Sequence, residues 1–487
     1  MKLNQNNLQV LPSGIQRFSY DRTGHERVIV HIGVGGFHRA HQAFYLDELL
    51  CAGLAGWTIC GMGIKCKDEK MYGVLKKQDY LYTLIVKHSD GSVCPRVIGS
   101  IVNYVFVPQD PAAAIGKLAD PRTGIVSLTI TEGGYNFDQN GDFIFDNPDV
   151  QWDIEHPDSP KTVFGLLTAA LRRRKERNIP AFTVLSCDNI LRNGDVTRKM
   201  LLSFTDVLDK ELSQWIVDNV SFPNSMVDRI TPVTTQSDIV LLREKFGMED
   251  AWPVTCEPFT QWTLEDDFCD GRPAWEQAGV QYVRDIEPYE KAKIRLLNAG
   301  HSLLGFFGSL AGHRTIDEAV GEAVMQNTLR AFMDHEVTPV LEKVEGIDLT
   351  GYKESLIDRF SNPYIRDQLE RICSDSSAKL PKFLIPTIHE QLNRNGQITC
   401  GVTVLAAWCH TLELYARGLY DYPIQDAMLE ELARAAVRTA EDGTPEFLEI
   451  AVIFGELSKQ PRFTDEFFKR LNDIRTLGIR AVLLKLT

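Results

Sequence analysis

The segment RVIVHIGVGGFHRAH, residues 27–41, determines the predicted fold of the first part of the chain. A β-branched apolar run is followed by a turn with Gly33, Gly35 and Gly36 and then by a helical pattern over His41–Leu50. Glycines between a strand and a helix allow a pyrophosphate to approach the backbone closely. The third glycine of the usual GxGxxG pattern is replaced by His38, so an ordinary strand–helix turn is an alternative.

Strand and helix patterns alternate from this segment to about residue 285. The strand candidates, several of them apolar without alternation as in a covered parallel sheet, are Trp57–Gly61, Tyr80–Val86, Arg96–Val107, Ile125–Thr131 and Ala181–Cys187. Long helical periodicities follow, among them Tyr289–Leu310, Ile316–His335 and Pro445–Glu456. The sequence predicts an α/β fold, with a doubly wound sheet domain over 1–285 and a mostly α-helical domain over 286–487.

The charge balance of the chain argues against nucleic-acid and membrane partners. The 487 residues carry 52 Lys and Arg against 66 Asp and Glu, a net charge of −14, which repels phosphate backbones and anionic lipids. The basic cluster at 172–177 is expected to be the solvated end of a helix. Neither a signal peptide nor a membrane span is expected. Ten scattered cysteines without zinc-ligand spacing predict no metal site and a cytoplasmic enzyme.

Charged residues and glycines after the later strands are further candidates for cofactor contacts. A carboxylate after the second strand usually holds the adenosine ribose of NAD, and Asp68 has that position. Lys65 and Lys67 lie beside it and could instead accept the 2′-phosphate of NADP, so NAD is favoured and NADP is not excluded. A plain helix cap is the alternative for Asp68. A buried strand ends in Glu132 and Gly133, where the nicotinamide half would bind.

The segment KIRLLNAGHS places Lys293, Asn298 and His301 on one predicted helix. At ~100° per residue, Asn298 lies ~140° and His301 ~80° around from Lys293, so the three share one broad face. A lysine buried beside a cationic nicotinamide loses affinity for its proton and can act as a general base. An amide can donate to developing alkoxide charge, and an imidazole can orient the same oxygen. The set therefore predicts alcohol–carbonyl chemistry.

Other polar residues are dispersed along the chain. They are Asn189 after a buried strand, Asp228, and the cations Arg371 and Lys379 on either side of a Ser-rich turn. A polyhydroxy substrate needs such donors and acceptors, but each of these residues alone could equally cap a helix or lie on the surface.

Together these motifs resemble the polyol-specific long-chain dehydrogenases, the family of mannitol 2-dehydrogenase and fructuronate reductase. The motifs occur in the family's order and cover nearly the whole chain: IVHIGVGGFHRAH (29–41), TITEGGY (129–135), SCDN (186–189), FPNSMVDR (222–229), KIRLLNAGHS (293–302) and RFSNPYIRD (359–367). The resemblance implies a zinc-independent, nicotinamide-dependent oxidoreductase with a Rossmann-type domain followed by a helical domain.

The resemblance also implies roles for individual residues. Lys293 would be the general base, Asn189 and Asn298 the oxyanion hole, and His301 the residue that positions the substrate oxygen. Asp228, Arg371 and Lys379 would contact substrate hydroxyls. Glu290 would belong to a proton path to solvent, with a plain exposed helix carboxylate as the alternative. The predicted cofactor contacts are Gly33, Gly35, Gly36, Phe37, Arg39, Asp68, Glu132 and Gly133.

Two short runs bear on the substrate. CGMG (60–63) and CSDSSAKLPKF (373–383) look closer to the polyol members of the family than to the uronate enzymes. The prediction is oxidation of D-mannitol to D-fructose with NAD. The alternatives are D-mannonate with D-fructuronate, then D-arabinitol or sorbitol, and, outside enzymes, a nucleotide-binding sensor. Oligomeric state is left open.

Overall fold

The computed structural model describes residues 1–54, 56–138, 140–342 and 348–486. These residues divide into two compact units, Met1–Glu287 and Pro288–Thr487. Within the described residues, every strand lies in the first unit, and the second is built from helices.

The first unit alternates strands and helices along the chain. Its strands are β1 (Arg27–Ile32), β2 (Trp57–Gly63), β3 (Tyr82–Lys87), β4 (Val93–Ile98), β5 (Ile101–Phe106), β6 (Thr123–Leu128), β7 (Thr183–Ser186), β8 (Ser225–Asp228), β9 (Val254–Cys256), β10 (Gln261–Glu265) and β11 (Gln281–Val283). Its α-helices are α1 (Gly36–Ala40), α2 (Gln42–Cys51), α3 (Glu69–Lys77), α4 (Pro111–Leu118), α5 (Glu132–Tyr135), α6 (Pro148–Glu155), α7 (Val163–Glu176), α8 (Asn193–Leu208), α9 (Lys210–Asn219) and α10 (Gln236–Phe246).

Five of these strands form a parallel sheet in the order β5-β2-β1-β6-β7. The chain builds outward from β1 through β2 to β5 and then returns to add β6 and β7 on the other side. The strand order therefore reverses between β1 and β6, and ligands of such sheets bind at the carboxyl ends of the strands beside that reversal. The predicted doubly wound α/β fold is confirmed.

Both faces of the parallel sheet are covered. Val30 and Ile32 of β1 face one apolar core, which contains α7 residues such as Phe164, whereas Ile29 faces a second core with Leu46 of α2. Because alternate side chains enter two different cores, Val28, Ile29, Val30 and Ile32 are all apolar. This explains why the strand sequence shows no alternation.

The predicted strand Arg96–Val107 is wrong, because it contains two strands of different sheets. β4 pairs antiparallel with β3, which also pairs with β9, whereas β5 joins the parallel sheet beside β2. The chain changes sheets at Gly99, where a Cβ would lie 2.6 Å from the ring of Phe18. Glycine permits this close passage. A third sheet has the order β11-β10-β8.

The basic cluster at 172–177 ends α7, but it is not wholly solvated as predicted. The guanidinium of Arg174 is buried and donates to the carbonyl oxygens of Pro180, Asp120 and Thr123. Arg174 thus satisfies main-chain acceptors inside the first unit.

The second unit is helical, as predicted. Its α-helices are α11 (Glu287–Lys293, which begins at the unit boundary), α12 (Ala299–Leu310), α13 (Ile316–Val320), α14 (Ala323–Ala331), α15 (Leu349–Phe360), α16 (Leu369–Cys373), α17 (Ser376–Phe383), α18 (Ile385–Asn393), α19 (Thr399–Ala416), α20 (Leu429–Asp442), α21 (Ala451–Phe454), α22 (Pro461–Leu477) and α23 (Ile479–Leu483). Two π-helical segments, Ile294–Asn298 and Phe332–Val337, interrupt this pattern.

The predicted helix Pro445–Glu456 is wrong over most of its length. Only Ala451–Phe454 is α-helical. The Oγ1 atom of Thr444, the residue before the predicted helix, has no hydrogen-bond partner among the described residues. The backbone N–H of Phe447 donates instead to Oγ1 of Thr439, which draws this segment onto α20.

Among the described residues, no helix combines the length and the apolar character needed to cross a bilayer. The described residues contain no group of three or more His, Cys, Asp or Glu side chains placed to hold a metal ion.

Candidate active site

The glycine-rich turn lies at the carboxyl end of β1, beside the reversal of strand order. Gly33 has φ +95°, and a Cβ there would lie 2.1 Å from the carbonyl oxygen of Thr129. Thr129 Oγ1 in turn donates to the Gly33 carbonyl at 2.7 Å. Gly35 and Gly36, at the start of α1, present backbone without a side chain. At Gly35 and Gly36 the turn is therefore bare main chain.

Phe37 and Arg39, two predicted cofactor contacts, point different ways. Phe37 is partly buried and stacks on His41 at 4.9 Å between centroids. Arg39 is 1% exposed, and its guanidinium donates to the carbonyl oxygens of Gly35 and Trp252. Arg39 is therefore an internal residue that holds the glycine turn in place by hydrogen bonds to the main chain.

Three buried histidines around the turn were not predicted as a group. The ring of His31 bonds through Nδ1 to Ser127 and through Nε2 to Thr129, at 2.8 and 2.9 Å. Burial lowers the pKa of His31 to about 3 and that of His41 to about 4, and it holds the pKa of His38 well below the usual value. The spacing of these histidines in HIGVGGFHRAH was the available signal.

Asp68 follows β2, four residues after Ile64, which is the first residue beyond that strand. Its Oδ2 accepts the backbone N–H groups of Ile64 and Lys65 at 3.0 and 2.9 Å, while Oδ1 accepts no hydrogen bond from the described residues. The ammonium of Lys65 is 3.8 Å from Asp149, and the side chain of Lys67 is exposed. Asp68 therefore offers one carboxylate oxygen in a fixed orientation.

Glu132, Gly133 and Asn189 follow the neighbouring strands β6 and β7 and are exposed. A Cβ on Gly133 would meet no atom within 4 Å. The carboxyl ends of these strands lie on the side of β1 away from β2, where the second half of a dinucleotide extends in such sheets. Asp188 ties the two segments together, since its carboxylate accepts the N–H groups of Ile130 and Thr131.

Asp228 is the last residue of β8 and is buried, in register with Gln261 of β10. It belongs to the small antiparallel pairing rather than to the parallel sheet. Its neighbour Arg229 is buried too and donates to the carbonyl oxygens of Ala40 and Glu257.

Lys293, Asn298 and His301 lie on one helical path in the second unit, but that path is not a regular α-helix. Lys293 ends α11, Asn298 ends the π-helical segment, and His301 lies in the first turn of α12. A π-helix bonds residue i to i+5 and so holds more residues per turn. Asn298 is therefore closer in angle to Lys293 than a regular α-helix would place it.

These three side chains differ in their surroundings. Lys293 is buried, and Asn298 and His301 are partly buried. Oδ1 of Asn298 has no hydrogen-bond partner in the described part of the chain, and the His301 ring lies 4.5 Å from that of Phe360. Glu290 is only 3% exposed, so the alternative prediction, that it is a plain exposed helix carboxylate, is wrong.

The two predicted substrate cations lie on α16 and α17, around the Ser-rich turn. Arg371 forms a two-point ion pair with Asp367, through Nε at 2.8 Å and a shorter bond from Nη2. Lys379 lies one helix later, with Nζ 3.4 Å from the carbonyl oxygen of Ile372. Asp426 fixes the turn by accepting bonds from the N–H and hydroxyl groups of Ser377.

Two family models together cover most of the chain. The Rossmann domain of mannitol dehydrogenase matches residues 27–277, and the C-terminal domain of mannitol dehydrogenase matches residues 285–475. The mannitol 2-dehydrogenase of Aspergillus fumigatus is 43% identical over 100% of this chain and 99% of its own length. That of Pyricularia oryzae is 43% identical over 96% of this chain and 94% of its own.

Solved structures agree with these matches. The Pseudomonas fluorescens mannitol 2-dehydrogenase, in a ternary complex with NAD and D-mannitol, superposes with a TM-score of 0.90 at 45% identity, covering 100% of this chain and 99% of that one. A D-sorbitol dehydrogenase in substrate-free form gives 0.89 at 36% identity, covering 99% and 100%. Both units take part in each match, and this chain belongs to the mannitol dehydrogenase family.

Proposed function

We propose that this protein is an NAD-dependent mannitol 2-dehydrogenase that interconverts D-mannitol and D-fructose. The observation that carries the proposal is similarity over the full chain to an enzyme solved with NAD and D-mannitol, at 45% identity. The first unit would bind the dinucleotide, and the second would supply the Lys293 helix.

The residues of the first unit fit a dinucleotide. A side chain at Gly33 would collide with Thr129, so this position needs glycine. A turn built of glycines has no side chains that would keep a pyrophosphate away from its backbone. Asp68 Oδ1 is oriented to accept ribose hydroxyls, and its charge disfavours the 2′-phosphate of NADP. Glu132 and Gly133 would lie along the nicotinamide half. Arg39 acts through Gly35 and is a positioning residue.

When bound, NAD⁺ would accept the hydride from the secondary carbon of the polyol. Lys293 takes the proton of the reacting hydroxyl, because a buried ammonium readily gives up its charge. Asn298 and Asn189 donate hydrogen bonds to the oxygen as negative charge develops on it, and His301 orients that oxygen. Glu290, itself buried, would pass the proton onward. Ketose reduction uses the same groups in reverse.

The substrate contacts favour an uncharged polyol over a sugar acid. Arg371 is already neutralised by its two-point bond to Asp367, so it is a poor partner for a substrate carboxylate. Asp228, Arg371 and Lys379 would instead share hydrogen bonds with hydroxyl groups. D-Sorbitol is a second candidate substrate, since a D-sorbitol dehydrogenase matches the whole chain at 36% identity.

All ten cysteines are free thiols, which supports the proposal of a cytoplasmic enzyme. The net charge of −14 likewise supports a small-molecule substrate rather than a nucleic acid.

The test follows nicotinamide absorbance with D-mannitol, D-sorbitol and D-mannonate as alternative substrates. Preferred turnover of D-mannitol is expected, and turnover of D-mannonate alone would contradict the proposal. Lys293→Ala is expected to lose about 10²- to 10⁴-fold in kcat while still binding NADH. Lys382→Ala, which removes an exposed lysine of α17, is the matched control and should stay near wild type.

A further inference from the structure

Asp188 is a buried carboxylate at the carboxyl end of β7 to which the proposed mechanism gives no role. It is 8% exposed and accepts hydrogen bonds from Ile130 N–H at 2.9 Å, Thr131 N–H at 2.8 Å and the Tyr135 hydroxyl at 2.8 Å. Both oxygens are therefore used. Three donors on one buried carboxylate hold the neighbouring strand end in a defined position.

One of these donors belongs to a strained residue. Thr131 has φ +59° and ψ +167°, a backbone conformation reached almost only by glycine. Such a conformation persists where the surroundings determine it, and it occurs often at functional sites. Here the surroundings include Asp188 Oδ1, which accepts the N–H of Thr131 itself. Thr131 directly precedes Glu132 and Gly133.

The main chain of Asp188 is equally fixed. Its carbonyl oxygen accepts Asn193 Nδ2 at 3.0 Å and the N–H of Ile190 at 2.9 Å. Asn193 also donates to the carbonyl of Ser225, so this anchor extends to β8. Asn189 lies between the carbonyl group of Asp188 and the N–H group of Ile190, which are bonded to each other. Asp188 thus connects the Thr131–Gly133 segment with the backbone that carries Asn189.

Burial favours the neutral form of the Asp188 carboxyl group, and the hydrogen bonds that it accepts favour the charged form. Desolvation raises its pKa, the hydrogen bonds from Ile130, Tyr135 and Thr131 oppose that rise, the nearby charge of Glu132 adds to it, and the resulting pKa is about 6. The titratable groups that interact with the carboxylate are Tyr135 and Glu132, both on α5, and the buried thiol of the adjacent Cys187. At neutral pH the carboxylate is ionised and accepts all three bonds.

We propose that Asp188 is a positioning residue for hydride transfer. Its side chain holds the Thr131–Gly133 segment against the nicotinamide, and its main chain holds Asn189 toward the reacting oxygen. This inference rests on the proposed function. A single residue thereby keeps the cofactor segment and the oxyanion donor in one arrangement.

The test is Asp188→Asn, with Asp195→Asn as control. Whichever way the new amide turns, its NH₂ group faces one of the two backbone N–H groups, so one bond is lost. We expect kcat to fall about ten- to hundredfold and NADH to bind more weakly. Asp195 is exposed and pairs with Arg192, so its variant should stay near wild type.

A rescue separates positioning from a general loss of stability. Adding Thr131→Gly to Asp188→Asn relieves the strained conformation and should restore part of kcat. Turnover of Asp188→Asn close to that of the control, or a loss that the glycine does not reduce, would overturn the proposal. If Asp188→Asn does not fold, Tyr135→Phe removes one donor instead. A lower kcat with an unchanged melting temperature supports the role, and an unchanged kcat overturns it.

Affinity for NADH, measured by fluorescence, needs no polyol. A wild-type protein inactive on D-mannitol would overturn the proposed function, whereas weaker NADH binding by Asp188→Asn would still support the role of Asp188 at the cofactor segment. The two failures are therefore distinguishable.

Discussion

The imidazole rings of His31 and His38 lie face to face, with centroids 3.4 Å apart and planes inclined by 10°. His31 bonds through both ring nitrogens, whereas neither nitrogen of His38 has a partner among the described residues. His38 has the position of the third glycine in the usual motif. In the usual motif, the third glycine lets the helix pack closely on the strand. Here the two stacked, neutral imidazole rings occupy the space between strand and helix instead.

This stack should make the protein sensitive to acid. Burial lowers the pKa of both rings, to about 3 for His31, so the unfolded chain takes up protons first as the pH falls below about 6.5. The stability contributed by the neutral rings is complete above that pH and is lost progressively below it. Each ring contributes up to about 1.4 kcal/mol per pH unit.

His38→Phe isolates this effect, because it keeps a stacking ring and removes one titrating group. The free energy of unfolding, measured with urea between pH 7 and pH 4, should fall less steeply in the variant than in wild type. Buried Asp188 and Glu336, whose pKa values are raised to about 6 and about 7 by desolvation, add an opposite slope to both proteins. Equal slopes in the two proteins would contradict the prediction.

Gly33→Ala should disrupt the glycine turn. The new methyl would lie 2.1 Å from the Thr129 carbonyl oxygen at φ +95°, so main chain must move. We expect a loss of about 3 kcal/mol or more in unfolding free energy and undetectable NADH binding. Gly53→Ala is the matched control. It has φ +72° with no atom within 4 Å of the Cβ position, so only conformational strain of about 1–2 kcal/mol is expected. Similar losses in both variants would argue against a special role for Gly33.

Asp68→Ala should weaken the preference for NAD. The change removes the oriented Oδ1 that would bind the ribose, so the KM for NAD⁺ is expected to rise about tenfold or more. It also removes the charge that would repel a 2′-phosphate, so the KM for NADP⁺ is expected to fall. Glu69→Gln removes one charge from the next, exposed position and controls for general electrostatics. Steady-state kinetics with both dinucleotides give the ratio. An unchanged ratio in Asp68→Ala would mean that another residue selects the cofactor.

The fold and the site residues differ in how far the sequence could predict them. Local periodicity and the glycine turn predicted the doubly wound sheet, because each strand enters two cores and so carries an apolar run. The change of sheet at Gly99 was not predictable, since it depends on the distant ring of Phe18. The burial of Arg39 and the bonds of Asp188 also depend on partners far along the chain. The π-helical segment at Ile294–Asn298 follows no periodicity rule, and angles counted on a regular α-helix therefore misplaced Asn298 relative to Lys293.

An ion pair with a neighbouring helix holds that π-helical segment. Arg295, whose side chain is 9% exposed, donates to Glu390 of α18 at 2.7 Å, and Lys291 lies 3.4 Å from the same carboxylate. Glu390→Ala leaves the Arg295 charge buried without this partner. The expected cost is about 1–3 kcal/mol in unfolding free energy, with about a tenfold loss in kcat because Asn298 shifts relative to Lys293.

Glu354→Ala is the matched control for this pair, since Glu354 and Arg330 are joined on an exposed surface, with side chains 56% and 38% exposed. Exposed pairs contribute about 0–1 kcal/mol, so little change in stability or turnover is expected. Urea unfolding gives the free energy of unfolding of both variants, and steady-state kinetics give their kcat. If Glu390→Ala loses stability but keeps its kcat, the ion pair supports the helix without setting the angle between Lys293 and Asn298. A loss of kcat that exceeds the control, at a substrate concentration well above KM, means that the π-helical turn is itself part of the catalytic geometry.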